Sequence, residues 1–385
     1  MVHRRTVLNQ LLDFIPRHEF QKAVSEVNGD RRVRKLNCWT QFVTQLFGQL
    51  TGHCSVRSTI AAFNTQHRFF YHLGVSTVKR STLCEANEHR NPDVLKAIFY
   101  YLLNRTQAEA PGHRFRFKGK VLAFDSTLIS LCLSICSWAQ FRHEKGAFKL
   151  HTAIDLAGNL PTIAVLSPGK THDIRVARVQ SFEKGTTVIM DKAYIDYAWL
   201  ASLEDQGVYF VTRAKDNMAY KVRECRPKLK SKGVCADQLI RLSSTAGKEY
   251  PKLLRRVSYR NPEDGKHYVF ITNRMDLSAK TICDLYKSRW EVELFFKTLK
   301  GQLQIEKFAG TSENAVKWQI WTALIAYLLT MLIKFKNRIK WTTPCILGAI
   351  SVTLFQKTSI ADIFKKVARE SPRKPVWQQM ALFSI

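Results

Sequence analysis

The first 105 residues follow a helical pattern of apolar and polar positions. Apolar side chains recur with a helical rhythm through QFVTQLFGQL (41–50) and VLKAIFYYLLNR (94–105), and polar, basic turns separate these segments. APGHRFRFKGK (110–120) lacks this rhythm and is interpreted as a connector. The pattern therefore predicts a helical N-terminal domain over residues 1–108, and this basic module is a reasonable DNA-binding element.

After the connector, strand-like and helical segments alternate. KVLAFDSTLISL (120–131) and TTVIMD (186–191) have the β-branched, apolar composition of buried strands, and residues 149–168 form a hairpin that turns at Gly158-Asn159. Helices are predicted within 173–182 and 194–207, and a fifth strand within 208–215. The order of strand, hairpin, helix, strand, helix and strand predicts a mixed α/β fold with an RNase-H-like sheet flanked by helices.

The remaining segments complete the predicted domain organisation. Residues 117–216 form the first part of the RNase-H-like core, 217–280 a basic β-rich insertion, 281–340 the last catalytic helix with a buried helix, and 341–385 a C-terminal helical segment. TICDLYKSRWEVELFFKTLKGQL (281–303) is predicted to be one long helix. The apolar run at 320–333 is shorter than the ~20 residues that span a bilayer, so we expect a core helix and no membrane partner.

The charge of the chain points to a polyanionic partner. Sixty Lys and Arg against 31 Asp and Glu give a formal charge of +29, and the pI is about 9.9. Positive charges in such excess repel one another in the free protein, and this favours binding to an anionic polymer. Because the excess runs over the whole chain, a DNA track fits better than one small anion. On charge alone, a basic protein that is merely soluble remains an alternative.

The cysteines and the N-terminus favour a cytoplasmic protein. The chain has nine cysteines, an odd number. Its first residues, MVHRRTVLNQLLDF, do not resemble a signal peptide. We therefore expect reduced thiols. Cys132, Cys136 and His143 are close enough in sequence to suggest part of a zinc site, but no second pair at ligand spacing follows. Apolar packing is the preferred interpretation of these cysteines.

Two aspartates end apolar runs in the predicted sheet. Asp125 lies in FDST and Asp191 in VIMDKAY, each at the predicted end of a strand. An acid there is costly unless it is exposed, paired or bound to a metal. Two acids at one edge of a sheet repel each other, and a divalent cation relieves that repulsion. Each acid alone is more typical of a turn or cap, but together in this fold order they predict a metal site.

The predicted helix at 281–303 carries a third acid between basic residues. Tyr286, Arg289, Glu293 and Lys300 are offset by 3, 7 and 14 residues, which at ~100° per residue places them within an arc of ~60° on one face of one helix. Lys297 lies on the same face. The acid would hold a metal while the cations grip phosphates. The alternative is a solvated charged stripe.

These four residues resemble a known signature. Tyr-x2-Arg-x3-Glu-x6-Lys is the YREK pattern of a large class of bacterial insertion-sequence transposases, and FDST and MDKAYID resemble the motifs that carry the first two acids there. GKTHD (169–173), FVTRAK (210–215) and FFYHLGVSTVKRSTLCEANEHR (69–90) are also similar to that family. The resemblance therefore covers nearly the whole chain.

The resemblance implies a cut-and-paste DDE transposase. Asp125, Asp191 and Glu293 would bind two Mg²⁺ or Mn²⁺ ions ~3.5–4 Å apart for in-line displacement. A water would nick the transposon end, and the exposed 3′-hydroxyl would attack the opposite strand and then the target. The partners would be transposon ends, target DNA and a second copy in a synaptic homodimer, in the cytoplasm at the nucleoid. The implied DNA contacts are Tyr286, Arg289, Lys300, Lys297, Arg213, Lys215 and His172.

Three alternatives stay open from the sequence. One is a DNA-binding protein derived from a transposase that has lost its chemistry, and another is a metal-dependent nuclease that cuts without joining. The third is a basic structural protein. Some relatives stack a flipped base on a Trp of the insertion, but residues 217–280 contain no Trp. Tyr250, Tyr259 and Tyr268 are the possible substitutes, so the route through a DNA hairpin also stays open.

Overall fold

Helices at both ends of the chain surround a central sheet. The computed structural model describes residues 5–53, 55–131, 140–142, 145–227, 233–306, 310 and 312–368. The helices before the sheet are α1 (Val7–Leu12), α2 (Arg17–Glu26), α3 (Cys38–Thr51), α4 (Val56–Asn64), α5 (Phe70–Leu73), α6 (Arg80–His89) and α7 (Asp93–Glu109). The later helices are α8 (Asp173–Arg178), α9 (Tyr197–Asp205), α10 (Ala279–Lys287), α11 (Trp290–Gly301), α12 (Glu313–Lys336), α13 (Thr343–Thr353) and α14 (Ile360–Ala368).

The sheet is mixed, as the sequence predicts. The strands are β1 (Val121–Leu131), β2 (Gln140–Arg142), β3 (Lys145–Asp155), β4 (Leu160–Pro168), β5 (Thr187–Met190), β6 (Tyr209–Arg213), β7 (Tyr220–Cys225), β8 (Val234–Leu242), β9 (Leu254–Arg260) and β10 (His267–Thr272). Their order in the described chain is β2-β3-β1-β5-β6-β10-β9-β8-β7, with β4 paired to β3. Within the part of the chain that the structure describes, only β1–β5 and β5–β6 pair in parallel. The predicted mixed α/β, RNase-H-like class is confirmed.

The predicted hairpin and insertion take definite places in this sheet. The turn between β3 and β4 uses Gly158 and Asn159, whose φ angles of 82° and 56° suit a tight hairpin. Residues 217–280 form β7 to β10, and β10 pairs antiparallel with β6. The segment predicted as an insertion therefore continues the central sheet beyond β6.

A buried ion pair joins this extension to the helix that follows it. The Arg255 side chain of β9 donates to both carboxylate oxygens of Asp237 on β8, at 2.8 and 2.7 Å. Its remaining nitrogen donates to the backbone carbonyls of Arg274 and Leu277. Both charged side chains are buried, with 2% and 7% of their surfaces exposed. The pair thus holds the segment that leads into α10.

Helix α12 is the central helix of the main hydrophobic core. By length and composition it could cross a membrane, but 89% of its most apolar stretch is buried inside the protein. Trp321 packs on Phe99 of α7, with ring centroids 5.3 Å apart. The indole of Trp318 donates to the carbonyl of Arg90. One cluster of buried residues joins the N-terminal helices with α11, α12, β3 and β4. The prediction of a buried core helix at 320–333 is confirmed.

The prediction of one helix over residues 281–303 is wrong, because the helix breaks at Ser288. The backbone N–H of Arg289 bonds to the carbonyl of Tyr286, a tighter three-residue step. The Ser288 hydroxyl donates to the carbonyl of Asp284 and accepts from Arg114 in the connector. Serine hydroxyls that bond back into their own helix bend it. Tyr286 and Glu293 therefore lie on separate helices and not on one face of one helix.

Candidate active site

The parallel pairing of β1 and β5 brings two aspartates to one edge of the sheet. The last paired residues are Phe124 and Met190, and Asp125 and Asp191 come directly after them. Carboxyl ends of adjacent parallel strands share one sheet edge, where open α/β folds place their ligands. The expectation that Asp125 ends its strand is wrong: β1 continues to Leu131, and Asp125 pairs with Thr152 of β3. The strand continues because β3 supplies hydrogen bonds along its whole length.

Arg289 connects the first and third acids. It lies between α10 and α11, and one nitrogen donates to Asp125 Oδ2 at 2.8 Å. Another nitrogen donates to the carboxylate of Glu293, one helical turn away in the first turn of α11. The exposed fraction of the side chain is 18% for Arg289, 21% for Asp125 and 34% for Glu293. The guanidinium therefore neutralises two half-buried carboxylates at once.

Tyr286 contacts the second acid of the site, Asp191. Its hydroxyl donates to Asp191 Oδ1 at 3.3 Å, and its ring packs against Phe270 of β10. Burial raises the pKa of Tyr286 to about 12, so the phenol keeps its proton and remains a donor at neutral pH. Asp191 also accepts from the backbone N–H of Ala193. Asp125, Asp191 and Glu293 thus converge on Arg289 and Tyr286.

The electrostatics of this site favour a cation. Burial raises the pKa of Asp125 to about 6, Arg289 opposes that rise, and the charges of Asp191 and Glu293 add to it. Three carboxylates offer the hard oxygen ligands that Mg²⁺ and Mn²⁺ bind. Within the described ranges, no three His, Cys, Asp or Glu side chains are arranged to hold a metal ion; Arg289 lies between two of these acids. The donor chemistry fits a divalent cation, and Arg289 supplies positive charge at the same carboxylates.

Two of the predicted DNA contacts, Lys297 and Lys300, follow Glu293 on α11. Lys300 donates to the carbonyl of Leu128 at 2.8 Å and forms an ion pair with Glu306 at 2.9 Å. Lys297 is exposed on the same helix. These lysines place positive charge along α11 beside Glu293.

The other predicted DNA contacts lie at the end of β6 and on the loops that follow β6 and β4. Arg213 ends β6 with its guanidinium over the ring of Tyr268, and Lys215 donates to the carbonyl of Ile195. Both line an open cavity of about 260 Å³. His172 is exposed immediately before α8. Because β5 and β6 pair in parallel up to Met190 and Thr212, Arg213 and Lys215 belong to the sheet edge that carries Asp191.

The sequence interpretation missed a polar network beside Asp125. Asp173 Oδ1 accepts from the Ser126 hydroxyl at 2.9 Å and from Lys149 at 3.0 Å. Fully buried His151 places Nδ1 3.6 Å from the same oxygen, and burial lowers the pKa of His151 to about 4, so it is neutral at neutral pH. The backbone N–H of Ser126 donates to Asp125. The sequence signal for this network is Asp173, the acid of GKTHD next to His172.

The tyrosines suggested as base-stacking residues differ in their accessibility. Tyr250 is only 1% exposed and its hydroxyl donates to Glu204, so it cannot present a face to DNA. Tyr259 and Tyr268 are half-buried beneath Lys280 and Arg213. The suggested zinc-site residues at 132, 136 and 143 lie outside the described residues.

Comparison with known proteins finds transposases among the relatives of this chain. The family model described as "Transposase DDE domain" matches residues 116–329, and "Domain of unknown function (DUF4372)" matches residues 3–76. A putative transposase, y4zB, of Sinorhizobium fredii is 30% identical over 73% of this chain and 79% of its own length. A probable transposase for insertion sequence element IS5377 of Geobacillus stearothermophilus is 29% identical over 66% of this chain and 67% of its own length.

A solved structure is also matched, at low similarity. It is the cryo-EM structure of a piggyBac transposase synaptic complex with hairpin DNA, with 12% identity and a TM-score of 0.45 over 94% of this chain and 81% of that chain. The family model spans more than half of the sequence, so the chain belongs to the DDE transposases. More particularly, it is a bacterial insertion-sequence transposase, an enzyme that cleaves DNA and transfers strands.

Proposed function

We propose that this transposase moves its insertion sequence by cut-and-paste transposition, with Asp125, Asp191 and Glu293 as the catalytic acids. The observation that carries the proposal is the convergence of these acids, from β1, β5 and α11, on Arg289 and Tyr286. The DDE family implies divalent metal use, and we propose that the three carboxylates hold two ions. When bound, Mg²⁺ or Mn²⁺ would stabilise the negative charge that develops on the transferred phosphate.

Arg289 and Tyr286 would position the DNA backbone. The planar guanidinium of Arg289 binds two carboxylates in the structure, and the same fork of N–H donors fits a phosphate. Contact with DNA would give it a phosphate partner in place of its carboxylates. The protonated phenol of Tyr286 can donate to a neighbouring phosphate oxygen. Lys297 and Lys300 would extend this contact along α11, and Arg213, Lys215 and His172 along the loops.

The proposal includes the partners that transposition requires. The enzyme would bind the terminal inverted repeats of its element and a target duplex, and two copies would hold the two ends together in a synaptic complex. It would act in the bacterial cytoplasm, on DNA of the nucleoid. The strong positive charge of the chain, +29, supports binding to long DNA.

A strand-transfer assay tests the proposal. The full chain is incubated with Mg²⁺, labelled duplexes that carry the ends of the element, and a target plasmid. We expect labelled ends joined to the target. Nicked or cut ends without joined products would instead identify a nuclease, and binding without any cleavage would identify a DNA-binding relic.

Asp173 is expected to act as a positioning residue for Asp125. Asp173→Asn removes the charge that holds Lys149 and Ser126, whose backbone N–H bonds to Asp125. Groups that orient metal ligands typically contribute ~10–100-fold to activity, so we expect cleavage to fall ~10-fold with unchanged DNA affinity. Asp196→Asn is the control, because Asp196 has a similar exposure, 23% against 28%, and pairs with Arg178. Equal cleavage rates in the two variants would contradict the assignment.

A further inference from the structure

A strongly basic loop connects α2 to α3. Residues 31–35 read RRVRK, and all four cations, Arg31, Arg32, Arg34 and Lys35, are exposed. The residues on both sides of them are held in place. Asp30 accepts from the backbone N–H of Cys38 and forms an ion pair with Arg90, and Arg90 also donates to the carbonyl of Leu36. The loop therefore presents its cations on a fixed stem.

The loop carries charge that the rest of the chain does not neutralise. Among the described residues, none of its four cationic side chains forms an ion pair, a side-chain hydrogen bond or a ring contact. Arg32 has a φ of 60°, in the left-handed region that residues other than glycine rarely adopt. Strain of this kind concentrates where function requires a particular backbone shape. Four exposed like charges on one short loop indicate a surface suited to an anionic partner.

We propose that this loop binds the backbone phosphates of duplex DNA independently of base sequence. Arginine and lysine are the usual phosphate contacts, and four of them lie within the five residues 31–35. The inference rests on the proposed function, which makes DNA the substrate, but its residues lie in the loop between α2 and α3 and not among the catalytic groups. The loop would add affinity and orientation for DNA that the acids act on.

The test compares the salt dependence of DNA binding by two fourfold variants. In the first, Arg31, Arg32, Arg34 and Lys35 are all changed to Ala. The control changes Arg338, Lys340, Lys357 and Lys365 to Ala, which removes the same charge from exposed positions. Each set includes one arginine with a positive φ: Arg32 in the loop, at 60°, and Arg338 in the control, at 49°. Binding of a labelled duplex of unrelated sequence is followed by fluorescence anisotropy, and circular dichroism checks that each variant is folded.

We expect the loop variant to show a much shallower salt dependence than the wild type. Each phosphate contact contributes ~0.9 to the slope of log K against log salt, so four contacts contribute ~3.6. Between ~50 and ~200 mM salt, the wild type would lose ~100-fold more affinity than the loop variant. The control variant should keep most of the wild-type slope. A variant with Arg31, Arg32 and Arg34 changed to Lys should also keep it, because the charges remain.

The outcomes separate this proposal from the proposed function. If the wild type cuts and joins DNA but the loop variant keeps the wild-type slope, the loop proposal is wrong and the transposase assignment stands. If the slope depends on the loop but no DNA is cut, the loop proposal stands and the catalytic proposal fails. If the control variant lost as much slope as the loop variant, the position of the charges would not explain the loss, and the loop proposal would be overturned. If the lysine variant also lost slope, charge would not explain the loss, and the proposal would likewise be overturned.

Discussion

Asparagine in place of Asp125 is expected to reduce the rate of DNA strand cleavage by ~10³-fold or more. A bound metal ion contributes several kcal/mol to stabilising charge in the transition state, and each ~1.4 kcal/mol is tenfold in rate. Asp191→Asn and Glu293→Gln should have effects of the same order, because all three carboxylates converge on one site. The measurement is the initial rate of nicking of an end-bearing duplex with Mg²⁺, beside DNA affinity.

Each of these amides keeps the shape of the acid it replaces, so DNA affinity should change little. Asp205→Asn is the matched control at an exposed carboxylate, and it should cut at the wild-type rate. Wild-type cleavage by Asp125→Asn would remove Asp125 from the proposed triad. Loss of both binding and cleavage would indicate a folding defect, which the melting temperature detects.

The pH dependence of stability separates a folding defect from a catalytic one. The pKa of Asp125 is about 6 in the folded chain, above its ordinary value of 3.8, mainly because of burial. The stability linked to its protonated form is therefore present below pH 3.8 and is lost as the pH rises through about 6. With a chelator present, Asp125→Asn should melt at or above the wild-type temperature at neutral pH, and this advantage should disappear in acid.

The sequence predicted those parts of the site that depend on local patterns. Apolar runs leading into Asp125 and Asp191 predicted that the two acids lie near each other, and they do because the parallel pairing of β1 with β5 ends at the residues just before them. The four-residue spacing of Arg289 and Glu293 predicted that they lie on the same side of the chain, and in the structure they form an ion pair. The Gly-Asn pair located the hairpin because both residues tolerate positive φ.

Other features depend on contacts between distant residues, which no local pattern reveals. The break at Ser288 involves Arg114, 174 residues earlier in the chain. The bond from Ser126 to Asp173 spans 47 residues, so an acid next to His172 gave little indication of its partners. The pairing of β10 with β6 likewise requires the chain to return to the sheet after β7, β8 and β9. Sequence therefore predicted the acids better than the groups that position them.

The sheet extension has a direct relation to the site. Phe270 of β10 packs against Tyr286, whose hydroxyl bonds to Asp191. The Arg255 side chain holds the carbonyls of Arg274 and Leu277, which lie between β10 and α10. A change that loosens this ion pair should therefore affect both the stability of the chain and the placement of Tyr286.

Arg255→Met is expected to lower the free energy of unfolding by about 3–5 kcal/mol, because it leaves Asp237 buried without its partner. Urea unfolding gives this value, and the exposed pair of Lys252 and Asp205 provides the control. Lys252→Ala should lower the free energy of unfolding far less than Arg255→Met does, since exposed ion pairs contribute little. Combining Arg255→Met with Asp237→Leu should recover most of the loss, because an apolar pair removes the uncompensated charge. If Arg255→Met were no more costly than Lys252→Ala, the buried pair would not hold the sheet extension, and its proposed effect on Tyr286 would fail with it.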